Sequence, residues 1–146
     1  MNVSTIKFKK LKEDAIIPQY MTTGSVGFDI HANNYLTLKS HYTGIVTTGL
    51  AIQIPEYTEL TVRQRSGLSI TYPNYIAIGI GTIDFDYRGE IMVPVVNNNI
   101  YKKFVINKGD RIAQCILSPM IRGIIQVTDN LDKTERGTGG FGSTGI

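Results

Sequence analysis

Short runs of β-branched and aliphatic residues recur along this chain, and turn residues separate them. They fall at 45–48, 51–54, 59–63, 76–80, 90–96, 103–106, 112–117 and 123–127, each of strand length. Thr58-Glu59-Leu60-Thr61-Val62-Arg63 alternates polar and apolar in part, as a strand with one buried face does. Ser25-Val26-Gly27-Phe28-Asp29-Ile30 reads as a further small strand carrying one acidic residue. Pro55, Pro73, Pro94 and Pro119 punctuate the middle, and no long stretch keeps a helical period. Residues 66–72 alone suit a short helix, which Pro73 would end. Asn107-Lys108-Gly109-Asp110 has the chemistry of a hairpin turn between two of the runs. The pattern predicts an all-β protein: a sandwich, a barrel or a jelly roll, which periodicity alone does not separate.

Composition narrows the class. A chain of 146 residues suits one domain with a proper core, and 42% hydrophobic against 18% charged residues are globular values. The net charge of +3 is mildly basic, with one dense cluster at Lys7, Lys9, Lys10 and Lys12. A solvated basic edge strand accounts for that cluster better than a nucleic-acid site does, so no specific nucleic acid is expected as a partner. The single cysteine, Cys115, lies in the apolar run 112–117 and reads as a buried small hydrophobe. It suits a reducing compartment, so a cytoplasmic location is expected, or the host-cell interior if the chain is viral. No run approaches the roughly 20 apolar residues of a membrane span, and neither a secretory leader nor membrane association is expected. His31 and His41 have no other nitrogen or thiol ligands near them in sequence, so zinc is not expected.

Chemistry concentrates in a few segments. Arg65-Ser66-Gly67 offers a guanidinium, a hydroxyl and unobstructed amides to one phosphate, though a salt-bridged arginine beside a turn serine would look the same. Residues 79–90, GIGTIDFDYRGE, pack Asp84, Asp86, Tyr87 and Arg88 between strand-like runs. A carboxylate there can act as general base on a water, or can simply pair with the arginine. Gly79 and Gly81 suggest a hairpin whose backbone comes close to a ligand. Gln114, in the segment GDRIAQ, can donate to phosphate or face solvent.

The end of the chain, RGTGGFGSTG at 136–145, matches G-x-G-x-x-G at Gly137, Gly139 and Gly142. A dinucleotide fingerprint needs a strand before it and a helix after it, and only four residues follow Gly142. A disordered terminus is the default for such a stretch. Arg136, Phe141, Ser143 and Thr144 suit another role, a mobile lid that closes over a nucleotide.

In order, SVGFDIHA, RSGLS, GTIDFDYRGEI, GDRIAQCIL and RGTGGFGSTG resemble the five motifs of the trimeric dUTPase family, across nearly the whole chain. The resemblance implies a jelly-roll-like β barrel over 1–135 and a flexible glycine-rich lid arm over 136–146. It implies cleavage of dUTP to dUMP and pyrophosphate with Mg²⁺, an activity that keeps dUTP low and supplies dUMP for thymidylate synthesis. It also implies a homotrimer whose active sites are shared between subunits.

The residue roles come with the same resemblance. Asp84 would activate the water that attacks the α-phosphorus. Tyr87 would lie under the deoxyribose and exclude a 2′-hydroxyl, and the backbone of Gly81, Thr82 and Ile83 would pair with the uracil edge. Arg65, Ser66, Gly67 and Gln114 would bind phosphates, and Asp29 would hold the water shell of the metal. Arg136 would grip the terminal phosphate and Phe141 would stack on the uracil, with Gly142, Ser143 and Thr144 completing the closed arm. Three departures stand out. Gln64 replaces a common proline ahead of Arg65, Val26 stands where alanine is frequent, and Ile78 stands where some members have asparagine. Two rival functions are a dCTP deaminase-like enzyme of the same superfamily, which uses a glutamate base and releases ammonia, and a non-catalytic nucleotide-binding regulator. The Asp84-centred segment and the FGSTG ending favour the diphosphatase.

Overall fold

A computed structural model describes residues 4–71, 76–141 and 143. Among these residues ten strands and one short helix follow in chain order. The strands are β1 Lys7–Lys10, β2 Gly27–His31, β3 Leu36–Leu38, β4 Thr43–Gln53, β5 Thr58–Arg63, β6 Ile76–Ala77, β7 Gly81–Asp84, β8 Glu90–Asn97, β9 Phe104–Ile106 and β10 Arg111–Pro119. The helix α1, Ser66–Thr71, lies between β5 and β6. One four-stranded sheet runs β1-β4-β8-β6 and a second runs β2-β10-β5-β7, with β3 and β9 forming a separate ribbon. All the pairings are antiparallel. The architecture is a jelly roll, in agreement with the all-β expectation.

Alternation builds the core. Along β8, Ile91, Val93 and Val95 turn inward while Met92 and Pro94 turn outward. They meet Val46 and Ile52 of β4, with Phe28, Ile30, Leu60, Val62, Ala113 and Cys115 contributed by the second sheet. Cys115 is fully buried, and that burial pushes its thiol up to about 12, so it stays a neutral packing group. Pro94 is tolerated inside β8 because β6 covers only Val96 and Asn97, leaving the strand a free edge at the proline. The buried Asn97 amide donates to the carbonyls of Leu38, Lys39 and Lys102, so this polar core group is well supplied with partners.

Several sequence expectations are corrected. Runs 45–48 and 51–54 belong to one strand, β4, joined through Gly49 in the left-handed region (φ 69°), where the register to β8 shifts. The Gly49 amide donates to the Glu90 carboxylate at 2.7 Å, which fixes the bulge. Run 76–80 shrinks to the two residues of β6. The turn at 107–110 forms, with Gly109 at φ 90° and the Asp110 amide on the Asn107 carbonyl, but it is no hairpin. β9 before it pairs with β3, and β10 after it pairs with β2 and β5. Local turn chemistry sets a reversal; sheet membership is decided by which face each strand must bury. For the same reason Gly79 and Gly81 do not make a hairpin, since β6 and β7 belong to different sheets. Run 123–127 is not a strand, and its apolar side chains are exposed. Lys7, Lys9 and Lys10 of the basic cluster lie on an edge strand, β1, and Lys12 falls in the bend after it. The helix α1 matches the expected one up to Thr71, with Tyr72 outside the described residues.

Candidate active site

The sheet β2-β10-β5-β7 frames the candidate residues. Its register sets Asp29 opposite Gln114 and Gln114 opposite Arg63. Phe28, Cys115 and Val62, one residue along, are buried in the core, so the pleat sends the Asp29 row to the outer face. Arg65, just beyond β5, turns back over this row. Its Nε donates to Asp29 Oδ1 at 3.0 Å and its Nη1 to the Arg111 carbonyl at 3.4 Å. Arg111 opens β10 and donates from Nη1 to Asp29 Oδ2 at 3.3 Å. Asp29 therefore holds one guanidinium on each carboxylate oxygen. Gln114 Nε2 donates to the Gln64 carbonyl at 3.2 Å.

Ser66 and Gly67 begin α1 beside this cluster, and Leu68 and Ser69 donate their amides to the Arg65 carbonyl. The first amides of a helix have no partner within it, which leaves those of Ser66 and Gly67 to a ligand, water or side chain. A Cβ at Gly67 would meet no atom within 4 Å, so the approach there is open. Two guanidinium groups, a carboxamide, a hydroxyl and a helix opening together suit a multiply charged anion. His31 pairs with Arg111 across β2 and β10. Burial pushes its imidazole below the ordinary range, Asp29 pulls the other way, and both arginines add to the lowering. Its Nδ1 is buried without a hydrogen-bond partner among the described residues.

A second group forms at the other edge of the same sheet. β7 carries Gly81, Thr82, Ile83 and Asp84, pairs with β5 on one side and leaves its other backbone edge unpaired within the sheet. The turn after it brings Tyr87 back beside Asp84, with the Tyr87 amide on the Asp84 carbonyl at 3.1 Å. The Tyr87 hydroxyl donates to the Glu90 carbonyl at 3.0 Å. Gly89 packs on the ring so closely that a Cβ there would fall 2.5 Å from Tyr87 Cζ. Arg88 donates to the carbonyls of Phe85 and Tyr87, and so braces the turn. Among the described residues it makes no ion pair with Asp84 or Asp86. A cavity of about 200 Å³ opens here, with Thr82, Ile83, Asp84, Tyr87 and Met92 among its lining. The Asp84 carboxylate is exposed at its mouth.

Among the described residues of the tail, no hydrogen bond reaches either group. Arg136 Nε donates to the Gly139 carbonyl at 2.9 Å, and the Ser143 amide to the Gly140 carbonyl at 3.0 Å. Phe141 is fully exposed with a left-handed backbone (φ 48°). Gly142 and Thr144 lie outside the described residues.

The two groups are also apart from each other. Asp84 faces Glu59 and Gln114 faces Arg63, four residues further along β5, while β2 and β7 are the opposite edges of the sheet. Four steps of about 3.3 Å and three strand spacings of about 4.8 Å put Asp84 roughly 20 Å from Asp29 along the sheet. Arg111 is the functional candidate that sequence reasoning passed over. Its one sequence signal is its place in the same segment as Gln114.

Among the described residues no group of three or more His, Cys, Asp or Glu side chains is placed to hold a metal. The arginine cluster offers one carboxylate, Asp29. With a guanidinium already on each of its oxygens, this carboxylate suits a cation held through water, as magnesium, which keeps several waters, can be. Among those residues no helix is long and apolar enough to cross a membrane.

Comparison with known proteins points the same way. The family model described as dUTPase matches residues 13–145. The deoxyuridine 5'-triphosphate nucleotidohydrolase of Helicobacter pylori strain P12 is 43% identical over 141 residues, 97% of each chain. That of Picosynechococcus sp. is 43% identical over 140 residues, covering 96% of this chain and 98% of the relative. Among solved structures, a mutant dUTPase of Staphylococcus bacteriophage 80alpha with dUpNHpp superimposes with a TM-score of 0.89 at 25% identity, covering 97% of this chain and 99% of that one. A mutant dUTPase of phage phi11 of S. aureus, described with a structural Mg(II) ion, shares the fold at a TM-score of 0.82 and 23% identity, covering 88% and 99%.

Proposed function

The chain belongs to the dUTPase family, and from that premise we propose that it hydrolyses dUTP to dUMP and pyrophosphate at a site built from both groups of residues. The observation that carries this reading is that one chain supplies both groups. An exposed carboxylate stands at the mouth of a small cavity, and a cluster of two arginines and a carboxamide suits phosphate.

The chemistry follows from the groups. The Asp84 carboxylate takes a proton from water as the water oxygen bonds to the α-phosphorus, and the bond to the departing pyrophosphate breaks. Arg65, the Ser66 and Gly67 amides and Gln114 hold the phosphates and take up charge as it moves onto the leaving group. The free edge of β7 presents backbone donors and acceptors at Gly81, Thr82 and Ile83 to the uracil edge. The Tyr87 ring, pinned by its bond to Glu90 and by Gly89, forms the floor under the sugar. Mg²⁺ held on the substrate phosphates, with Asp29 reaching its water shell, would neutralise part of the developing charge. The arm from Arg136 to Thr144 closes over the bound nucleotide.

The roughly 20 Å between Asp84 and Asp29 favours sites shared between copies of the chain. The phosphate attacked at Asp84 and the phosphates held by the arginines are bonded neighbours in one triphosphate, so the two groups of a single protomer serve different sites. The exposed apolar run Ile121, Ile124, Ile125 and Val127, each more than nine-tenths accessible, gives a copy of the chain surface to cover. We read the assembly as a homotrimer acting inside the cell. An Asp84→Asn variant and an Arg65→Ala variant, each nearly inactive alone, are expected to regain activity when unfolded together and refolded as a mixture. Mixtures no better than their components would place both groups in one protomer's site.

The activity is tested by incubating the protein with Mg²⁺ and each of dUTP, UTP, dTTP and dCTP, following pyrophosphate and ammonia separately. Pyrophosphate from dUTP alone is expected. Ammonia from dCTP would mark a deaminase, and tight binding of dUTP without turnover would mark a regulator. Tyr87→Ala is expected to raise cleavage of UTP relative to dUTP by about tenfold or more, because a pocket excludes a larger substrate only while its floor stands. An unchanged ratio would refute the steric role of the ring.

A further inference from the structure

Gln64, the residue that stands in place of proline, makes contacts for which proline has no atoms. Its Nε2 donates to Ser69 Oγ at 3.0 Å, and Ser69 Oγ donates onward to the Arg65 carbonyl at 3.3 Å. Its Oε1 accepts from the Ile78 amide at 3.1 Å. One side chain therefore bonds to α1, which carries Ser66 and Gly67, and to the segment that leads into β7. Its own carbonyl takes the Gln114 carboxamide besides.

The helix needs such a tether. It is six residues long, none of its residues is fully buried, and Leu68 packs only partly buried against the core. A helix this short has no stability of its own and takes its position from what holds it. Ile78, by contrast, is buried against the core, a fixed point from which Gln64 can hold the helix. We propose that Gln64 is a positioning residue that sets the phosphate-binding turn of a protomer against its nucleoside-binding strand. The inference rests on the reading above, in which Arg65, Ser66 and Gly67 take phosphate and Gly81 to Ile83 meet the uracil. Because those two groups serve different sites in the assembly, Gln64 also links each site to the next.

The test uses the full chain and two product probes, inorganic pyrophosphate for the phosphate side and dUMP for the nucleoside side. Gln64→Ala is expected to weaken inhibition by both about fivefold, the scale of one lost hydrogen bond on each side. It is also expected to speed hydrogen exchange at the Ile78 amide. Ser69→Ala, on the exposed side of a helix that tolerates it, is expected to weaken pyrophosphate and leave dUMP unchanged. A Gln64→Ala protein that melts lower but keeps both inhibition constants would make Gln64 merely structural, and one that moves a single constant would overturn the link. Should Gln64→Ala not fold, Gln64→Glu keeps an acceptor for Ile78 and is expected to weaken pyrophosphate only; an equal loss of both probes would overturn the proposal. Wild-type protein that neither cleaves dUTP nor responds to the two probes would instead remove the functional reading beneath it.

Discussion

Asp84→Asn is expected to lower kcat for dUTP by about 10²-fold or more while leaving nucleotide binding close to wild type. The size follows from what the substitution removes. Asparagine keeps the shape of the side chain and its place at the end of β7, and the turn behind it is held by backbone atoms, the Asp84 carbonyl and the Tyr87 amide. What is lost is the ability to accept a proton from water. Position 84 is exposed and at a strand edge, so the fold has little stake in its charge, and stability is expected to stay within about 0.5 kcal/mol. Calorimetric titration with dUpNHpp and initial rates with dUTP separate the two effects. Normal turnover in the variant would remove Asp84 as the base, and loss of binding with loss of rate would make it a ligand of the nucleotide instead.

Much of the fold was legible because a half-buried strand writes its own alternation. Val62 and Leu60 point in while Glu59 and Arg63 turn to the other face, and the sequence carries that pattern without help. What failed was pairing. Residues 107–110 turn as their chemistry dictates, yet the strands on either side separate into different sheets. The run 123–127 has strand composition and no strand partner among the described residues. Both are decisions of tertiary structure that no local window holds.

The candidate site divides along the same line. Asp29, Arg65, Gln114, Asp84 and Tyr87 were legible as types of residue in segments of recognisable order. Arg111 and Gln64 were not, because their importance lies in contacts across the sheet. Arg111 meets Asp29 from a neighbouring strand, and Gln64 reaches Ile78 past a helix. Sequence separation hides such bonds even where every residue type is plain.

Removing residues 136–146 is expected to leave the fold intact and to lower kcat/KM for dUTP by about 10²-fold or more, the cost of losing groups that orient the reacting centre. The prediction turns on how little the segment touches. Arg136 and Gly139 bond to each other, Ser143 bonds to Gly140, and Phe141 stands fully exposed. Among the described residues of the arm none of these contacts reaches a strand, so the melting temperature is expected to hold when the arm is cut. Yet an arginine, an aromatic ring and hydroxyls on a glycine backbone are what a closed nucleotide needs from its open side. Ordering such a chain costs conformational entropy for every residue fixed. Only a ligand offering both a base to stack on and a terminal phosphate to grip returns enough to offset it. The truncated protein should therefore discriminate less between dUTP and dUMP as ligands, since in the proposed reading the arm grips the terminal phosphate that dUMP lacks. A truncation with full activity would make the arm a bystander, and a truncation that unfolds would give it a structural role that its exposed contacts do not show.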